Sequence, residues 1–525
     1  MGDPLLARTK KLEQEQPAMT LKHTPHVLVI GAGIGGLTTA VLLLQAGYKV
    51  TVLEAHIYPG GCAGTFYHQK FRFDVGATLA GGFSPGGPHA RLAEQLGIDW
   101  PVKPVNPAWV TFLDGKTIFQ WAERERWWDE IHRHFPESTS FWKKQEWLAN
   151  QSWDIAAKDF AWPPRSFRDY LTIFSALHPD TLRAAPYALR TIGSLLPPAS
   201  SPSLRLFLDA QLLISAQSLA QATNALYGSA ALDLPRRGVN HVLGGIGSLA
   251  QTLADWGTQR GLTLLYRQKV TRLEVKDGRG VRVYTNKKQV FEADAFVANL
   301  TPWGLAALLG ENTPPALRRE TQTRPATWGA FTLYLGVDAS QLTAIPADHL
   351  QVIVDPTRPL GEGNSVFISL SPTDDPSRAP QGMRAVTLST HTAIAAWQID
   401  ERASEEKSAE YTERMLQAAE IAIPGIRQSV RLALPGSPHT FEFYTHRPLG
   451  MVGGFPQTSL LRARSPWTGL ANVWLVGDSI FPGQSTAGVT VGAMRVAKEV
   501  IHWLRQTFNM RSWCVAKTPS PSEAN

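Results

Sequence analysis

Residues 31–36 read Gly-Ala-Gly-Ile-Gly-Gly and set three glycines at the spacing G-x-G-x-x-G. That spacing suits a strand-to-helix turn that binds an anion through main-chain N–H groups. Gly31 permits the tight turn, Gly33 lets the backbone approach a diphosphate, and Gly36 lets the helix lie close to the strand. Ala32 and Gly35 complete the loop. The positive end of the following helix adds its dipole to the same site.

The flanking sequence supplies the elements such a turn needs. Residues 27–30 are a short run of branched apolar side chains and read as a buried parallel strand. Residues 34–45 read as a helix that stops at Gly47, and residues 49–53 as a second strand closing on Glu54. An acid there, 18 residues beyond Gly36, accepts hydrogen bonds from an adenosine ribose and repels a 2′-phosphate. A glycine-rich turn with a chance acid would not bring strand, turn, helix, strand and carboxylate together in this order. The reading is a dinucleotide site without a 2′-phosphate, on a Rossmann-like α/β fold.

Two further segments separate FAD from NAD. Residues 59–66, Pro-Gly-Gly-Cys-Ala-Gly-Thr-Phe, form a second glycine-rich loop in which Gly60 and Gly61 bring N–H donors to the same phosphates. Far downstream, apolar residues 472–476 run into Gly477-Asp478 and then Pro-Gly-Gln-Ser-Thr-Ala-Gly-Val at 482–489. An aspartate after a buried strand can accept a hydrogen bond from a ribityl hydroxyl. A helix starting near Thr486 would aim its N-terminus, with Ala487, Gly488 and Val489, at a flavin ring and stabilise its reduced, anionic form. A simple NAD enzyme needs no such return, so the cofactor expected is FAD.

These blocks, with Phe-Asp-Val-Gly-Ala-Thr at 73–78, Gly-Gly-Ile-Gly-Ser-Leu at 244–249 and Thr-His-Arg-Pro at 445–448, resemble the carotenoid desaturase and isomerase family of amine-oxidase-like flavoproteins. That family includes bacterial-type phytoene desaturases, prolycopene isomerases and 3′,4′-desaturases. The matching blocks run from about residue 27 to 500. The resemblance implies a glutathione-reductase-type FAD domain interleaved with a substrate domain of mixed sheet and helices. It implies FAD contacts at Gly31, Gly33, Gly36, Glu54, Gly60, Gly61, Asp478 and residues 487–489, and at Val270 through its backbone. It also implies a long polyene substrate, oxygen or a quinone as electron acceptor, and hydride transfer to flavin N5 as the chemistry. The narrow expectation is a 3′,4′-desaturase; a cis–trans isomerase, a flavin-free isoprenoid escort protein and an amine oxidase are the alternatives. Many relatives carry a basic residue after the Gly-Gly pair, where this chain has Cys62. A small packed thiol fits that position better than a reactive one. Glu442, His446 and Arg447 are the nearest candidates for a polar cluster by the ring, or for a structural salt bridge; no nucleophile–base set stands out.

The 525 residues exceed one compact core, and 43% hydrophobic with 18% charged residues fits a globular chain. A net charge of +7 from scattered basic residues gives no reason to expect nucleic acid binding. Two cysteines, Cys62 and Cys514, exclude a disulfide framework, and no metal motif is present. The organisation expected is a polar, disordered extension (1–25), a first FAD-binding part (26–100), a helical, tryptophan-rich region (101–240), a second FAD-binding part (241–310), a substrate-domain sheet (311–440), a third FAD-binding part (441–511) and a disordered tail (512–525). Met19 is an alternative start. No signal peptide or membrane span is expected, since the apolar stretch 26–47 is broken by glycines. A substrate of on the order of 40 carbons would pay roughly 30 kcal/mol to cross water at ~0.8 kcal/mol per CH₂. The protein is therefore expected to sit peripherally on the cytoplasmic side of a membrane. The region 100–162 holds nine of the 17 tryptophans; either these form the membrane face with the helices that follow to about 196, or they fill a core.

Overall fold

The computed structural model describes residues 24–158, 162–164, 167–325, 328–342 and 345–508. The expectations for Met19, for the tail and, but for residues 24 and 25, for the N-terminal extension lie outside the described residues.

The apolar run at the first fingerprint becomes the strand His26–Ile30, whose Val27, Leu28 and Val29 are fully buried. It is the middle strand of a five-stranded parallel sheet in the order Thr263–Leu265, Lys49–Leu53, His26–Ile30, Ala295–Ala298, Val473–Leu475. Strands buried on both faces need no polar alternation, which is why His26–Ile30, Ala295–Ala298 and the adjoining Val473–Leu475 read as largely apolar runs. The helix Ile34–Gln45 packs against the helices Ser248–Thr258 and Thr486–Thr507, and all three share the sheet's core. The sheet thus draws on sequence from residue 26 to residue 475, and its strand ends gather the three glycine-rich loops.

The second sheet has seven strands in the order Val430–Gly436, Trp328–Asp338, Met383–Ala393, Ser365–Leu370, His349–Ile353, Val110–Leu113, Lys116–Phe119. It is mixed, as expected: His349–Ile353 and Val110–Leu113 run parallel and the other neighbours antiparallel. The helix Glu401–Ala422 shares a core with it through Tyr411, Met415 and Ala418. The expectation of a helical region throughout 101–240 needs correcting. Strands Val102–Val105, Val110–Leu113, Lys116–Phe119 and Val239–Val242 lie within it, and two of them complete the seven-stranded sheet. Each is only four residues long, too short for a period-2 pattern to outweigh the helical ones around it.

The tryptophan question resolves towards packing. None of the nine residues between 100 and 162 is exposed. Trp127 and Trp142 meet edge to face at 5.1 Å and form a core with Phe135, Phe141 and Phe207. A group of exposed apolar side chains lies further on, in the helix Phe167–Ala176.

One buried ion pair ties the short strand Phe71–Asp74 to the loop that joins two strands of the seven-stranded sheet. Asp74, in the strand Phe71–Asp74, receives Arg378 Nη2 at 2.9 Å, Thr65 Oγ1 at 2.8 Å and the main-chain N–H of Ile246 at 2.8 Å. Both charged side chains are under 8% exposed. Removing one partner leaves the other charged, buried and unpaired, which costs roughly 3–5 kcal/mol. Asp74→Ala is expected to lower the free energy of unfolding read from denaturant titration by that amount, whereas Asp74→Asn, which keeps acceptor capacity for the N–H groups, should lose less.

Candidate cofactor and substrate cavity

The fingerprint turn is built as its spacing demands. Gly31 has φ +95°, and its N–H donates to Leu53 O at 2.8 Å. A Cβ on residue 36 would stand 2.2 Å from Gly31 O. Glu54 closes the turn: Ala32 N–H donates to one carboxylate oxygen at 2.6 Å and His56 N–H to the other at 2.7 Å. Burial pushes the Glu54 carboxyl above its ordinary range, and these N–H donors pull it back.

The second loop lies directly alongside. Gly60 N–H donates to Ala32 O at 2.9 Å, and Gly33 and Gly60 bridge. Gly60 and Gly61 both have positive φ, +119° and +58°. A side chain at Gly61 would meet only Gly33 Cα at 3.9 Å, so the space over the two loops is open. The third segment arrives at the end of Val473–Leu475. Gly477, φ +114°, precedes Asp478, and Ser485 Oγ caps the helix Thr486–Thr507 by accepting the Gly488 N–H at 3.1 Å.

Gly33, Gly35, Gly60, Gly61, Gly477, Asp478, Ala487, Gly488 and Val489 line one cavity of about 760 Å³. Gly31, Ala32, Gly36 and Glu54 sit behind that wall and fix its shape. Val270 is not among the lining residues. It is buried at the start of a separate antiparallel sheet, tied to the turn through Gln268 N–H, which donates to Glu54 O at 2.8 Å.

The sequence reading missed Asn299. It follows the strand Ala295–Ala298, and its side chain stands within 3.0 Å of where a Cβ would be at Gly33, Gly35 or Gly477. Its only sequence signal was its place at the end of a fourth apolar run.

Of the three polar residues considered near the ring, Arg447 is the one engaged. Its guanidinium donates to Asp478 Oδ2 at 2.7 Å and to Gly453 O at 2.8 Å, and lies 3.7 Å from Cys62 Sγ. His446 borders the cavity, while Glu442 is exposed and is not among the lining residues. Burial opposes the charge on Arg447, but the Asp478 carboxylate more than offsets it and holds the arginine firmly protonated. Burial also pushes the Cys62 thiol up, with Arg447 pulling the other way, so Cys62 is not a ready thiolate. A positive charge therefore does stand beside the second glycine loop, supplied from 385 residues away rather than by the next residue. These groups fit a flavin dinucleotide: open N–H loops, a capped helix N-terminus, a carboxylate, and a guanidinium whose buried Nε has no hydrogen-bond partner in the structure.

Beyond the loops the cavity runs between the helical region and the seven-stranded sheet, past Trp109, Phe207, Leu213, Tyr227 and Phe367. Among the described residues its lining has a single carboxylate, Asp478, already paired with Arg447. His391, which sequence reasoning did not single out, faces Gln217 Nε2 at 3.2 Å, and burial lowers its pKa to about 4.

Residues 34–501 match the model of flavin containing amine oxidoreductases. The chain belongs to this family. Its cofactor is FAD. Among characterised proteins it is similar to prolycopene isomerase 1 of an Oncidium hybrid cultivar, 28% identical over 90% of this chain and 83% of the relative. It is 24% identical to a 4,4′-diapophytoene desaturase of Methylomonas, over 93% and 97%. Among solved structures it is similar to an oxidoreductase from Methanosarcina mazei (TM-score 0.62, 17% identity, 90% of this chain and all of that one). It is also similar to cyclohexylamine oxidase from Brevibacterium oxydans (TM-score 0.59, 15% identity, 93% and 100%). The resemblance to carotenoid desaturases and isomerases is thus borne out, and so is the fold.

Asp478→Ala strips Arg447 of its counter-charge in this wall, a loss of about 1.5–3 kcal/mol for a hydrogen bond between charged groups. The variant should purify with less flavin than wild type, read as visible flavin absorbance per protein, and with a lower melting temperature.

Proposed function

We propose that this chain is an FAD-dependent carotenoid desaturase whose long apolar cavity holds a polyene against the flavin. The observation that carries the reading is the cavity's chemistry. Among the described residues it is walled by aromatic and aliphatic side chains, and its one carboxylate is neutralised by Arg447. A cationic amine would find no free counter-charge there, whereas a neutral hydrocarbon loses nothing by entering. FAD, when bound, supplies the hydride acceptor that an unactivated allylic C–H requires.

The protein's own part is to orient, enclose and anchor. The walls of Trp109, Phe207 and Phe367 hold an extended chain by contact area rather than by hydrogen bonds. The absence of a strong base among the lining residues suits a reaction in which the cofactor takes the electrons. The narrower reading is desaturation at the 3′,4′ position, with oxygen or a membrane quinone as the final acceptor. A cis–trans isomerase is the second reading, favoured by the greater identity to prolycopene isomerases, 28% against 24% for the desaturase.

Delivery of such a substrate supports a peripheral membrane position. The helix Phe167–Ala176 exposes Phe167, Tyr170, Leu171 and Phe174, the first at 79%. Ile173 of the same helix, and Leu177 just after it, line the cavity. One element thus joins an exposed apolar face to the cavity wall. No helix among the described residues is long and apolar enough to cross a membrane.

Expression in cells that accumulate defined carotenoids tests the reaction. Loss of two hydrogens by mass marks desaturation, and unchanged mass with a shifted spectrum marks isomerisation. Unaltered pigments together with oxidation of a simple amine would sink both readings. For the surface, Leu171→Glu with Phe174→Glu is expected to weaken co-sedimentation of the flavin-loaded protein with lipid vesicles at least about tenfold, since each side chain is worth roughly 1.5–3 kcal/mol when buried.

A further inference from the structure

A continuous line of hydrogen bonds leaves the cavity through groups that the proposed hydride chemistry does not use. Thr78, the last residue of the Phe-Asp-Val-Gly-Ala-Thr segment, lines the cavity, and its Oγ1 lies 2.6 Å from Ser369 Oγ. Ser369 Oγ lies 2.9 Å from His349 Nδ1, its cross-strand partner. His349 Nε2 lies 3.3 Å from His241 Nδ1, with the rings 4.5 Å apart. His241 Nε2 lies 3.1 Å from Asp348 Oδ2. Ser369, His349 and His241 are each under 9% exposed, whereas the Asp348 side chain is 34% exposed. The line therefore starts at the cavity wall, passes between the strands His349–Ile353 and Ser365–Leu370 and reaches water.

Every link has one donor and one acceptor if both imidazoles carry their proton on Nε2. Thr78 then donates to Ser369, Ser369 to His349, His349 to His241 and His241 to Asp348. A buried, fully joined line of this kind has the form that proton transfer needs. Burial, and next to it His241, hold His349 well below the usual imidazole range, so it rests neutral and able to accept. Of the charged groups around the pair, Arg384 and Arg378 also lower His349, while Asp348 acts the other way. Arg384 donates to the other Asp348 oxygen at 2.5 Å; the His241 hydrogen bond, and then Arg384, hold that carboxylate low against its burial. Arg378 is engaged with Asp74, and Lys103, the strand partner of His241, is engaged with Asp374.

We propose that Thr78, Ser369, His349, His241 and Asp348 form a proton relay between the cavity and solvent. A proton shed in the cavity binds Thr78 Oγ1 as that hydroxyl passes its own proton to Ser369. Ser369 passes its proton to His349 Nδ1, His349 its Nε2 proton to His241 Nδ1, and His241 its Nε2 proton through Asp348 to water. One proton enters, one leaves, and no electrons move. The line then points inward, and one proton returned to the cavity restores it. The relay would serve desaturation, which releases a proton beside the new double bond; in that respect it rests on the proposed function.

The test uses flavin-loaded protein and light-driven flavin reduction, which needs no polyene. Proton exchange with bulk water is followed by a pH-indicating dye. Ser369→Ala is expected to delay proton exchange behind flavin bleaching by at least about tenfold, the low side of what a positioned proton donor is worth. Ser369→Thr, which keeps the hydroxyl, should restore it. Thr78→Val, which cuts the line at its inner end without touching the buried serine, should give the same delay. Unchanged proton exchange in folded Ser369→Ala and Thr78→Val proteins, confirmed by melting temperature, overturns the relay. Failure of wild type to alter any polyene would overturn the proposed function and leave this readout standing.

Discussion

The carbonyl oxygen of Gly31 lies 2.2 Å from where a side chain on residue 36 would begin, and much of the site follows from that contact. It fixes how closely the helix Ile34–Gln45 approaches the central strand, and so where the helix N-terminus points. Because the helix sits so low, Ala32 N–H can reach Glu54 and Ala32 O can receive Gly60 N–H. The two glycine loops are thereby laid side by side as one surface. A larger residue at 36 would lift the helix and separate the loops, whatever the rest of the chain did.

The third loop reaches this surface from the far end of the sequence. Asn299 is the packing between them: its amide fills the space that side chains at Gly33, Gly35 and Gly477 would have taken. Arg447 then adds charge where the backbone cannot. Its pairing with Asp478 leaves the cavity lining, among the described residues, with no uncompensated carboxylate.

Much was legible in the sequence because it was local. A βαβ unit with its turn glycines and closing acid is written in about 30 consecutive residues, and each feature answers to the geometry of its neighbours. The apolar runs at 27–30 and 472–476 were readable for the same reason: a strand buried on both faces announces itself without reference to its partner. The short strands at 110–119 were not, because four residues carry too little pattern and their burial depends on a sheet formed by residues 328–393. The tryptophans were ambiguous because an amphipathic ring serves equally well in a core or at a lipid headgroup. Only packing against Phe135 and Phe207 distinguishes the two.

By itself the sequence determined the doubly wound sheet and the flavin-type cofactor, since these depend on backbone conformations that only certain residues adopt at fixed spacings. The tertiary structure decided which distant side chains meet there. It brought Arg447 to Cys62 across 385 residues, His349 to His241 across 108, and Asn299 to three separate glycines. Such meetings are set by how whole elements pack, and no local spacing encodes them. The opening fingerprint thus specified what the site would hold, and the packing of the second sheet and its helices specified the neutral, apolar space beside it.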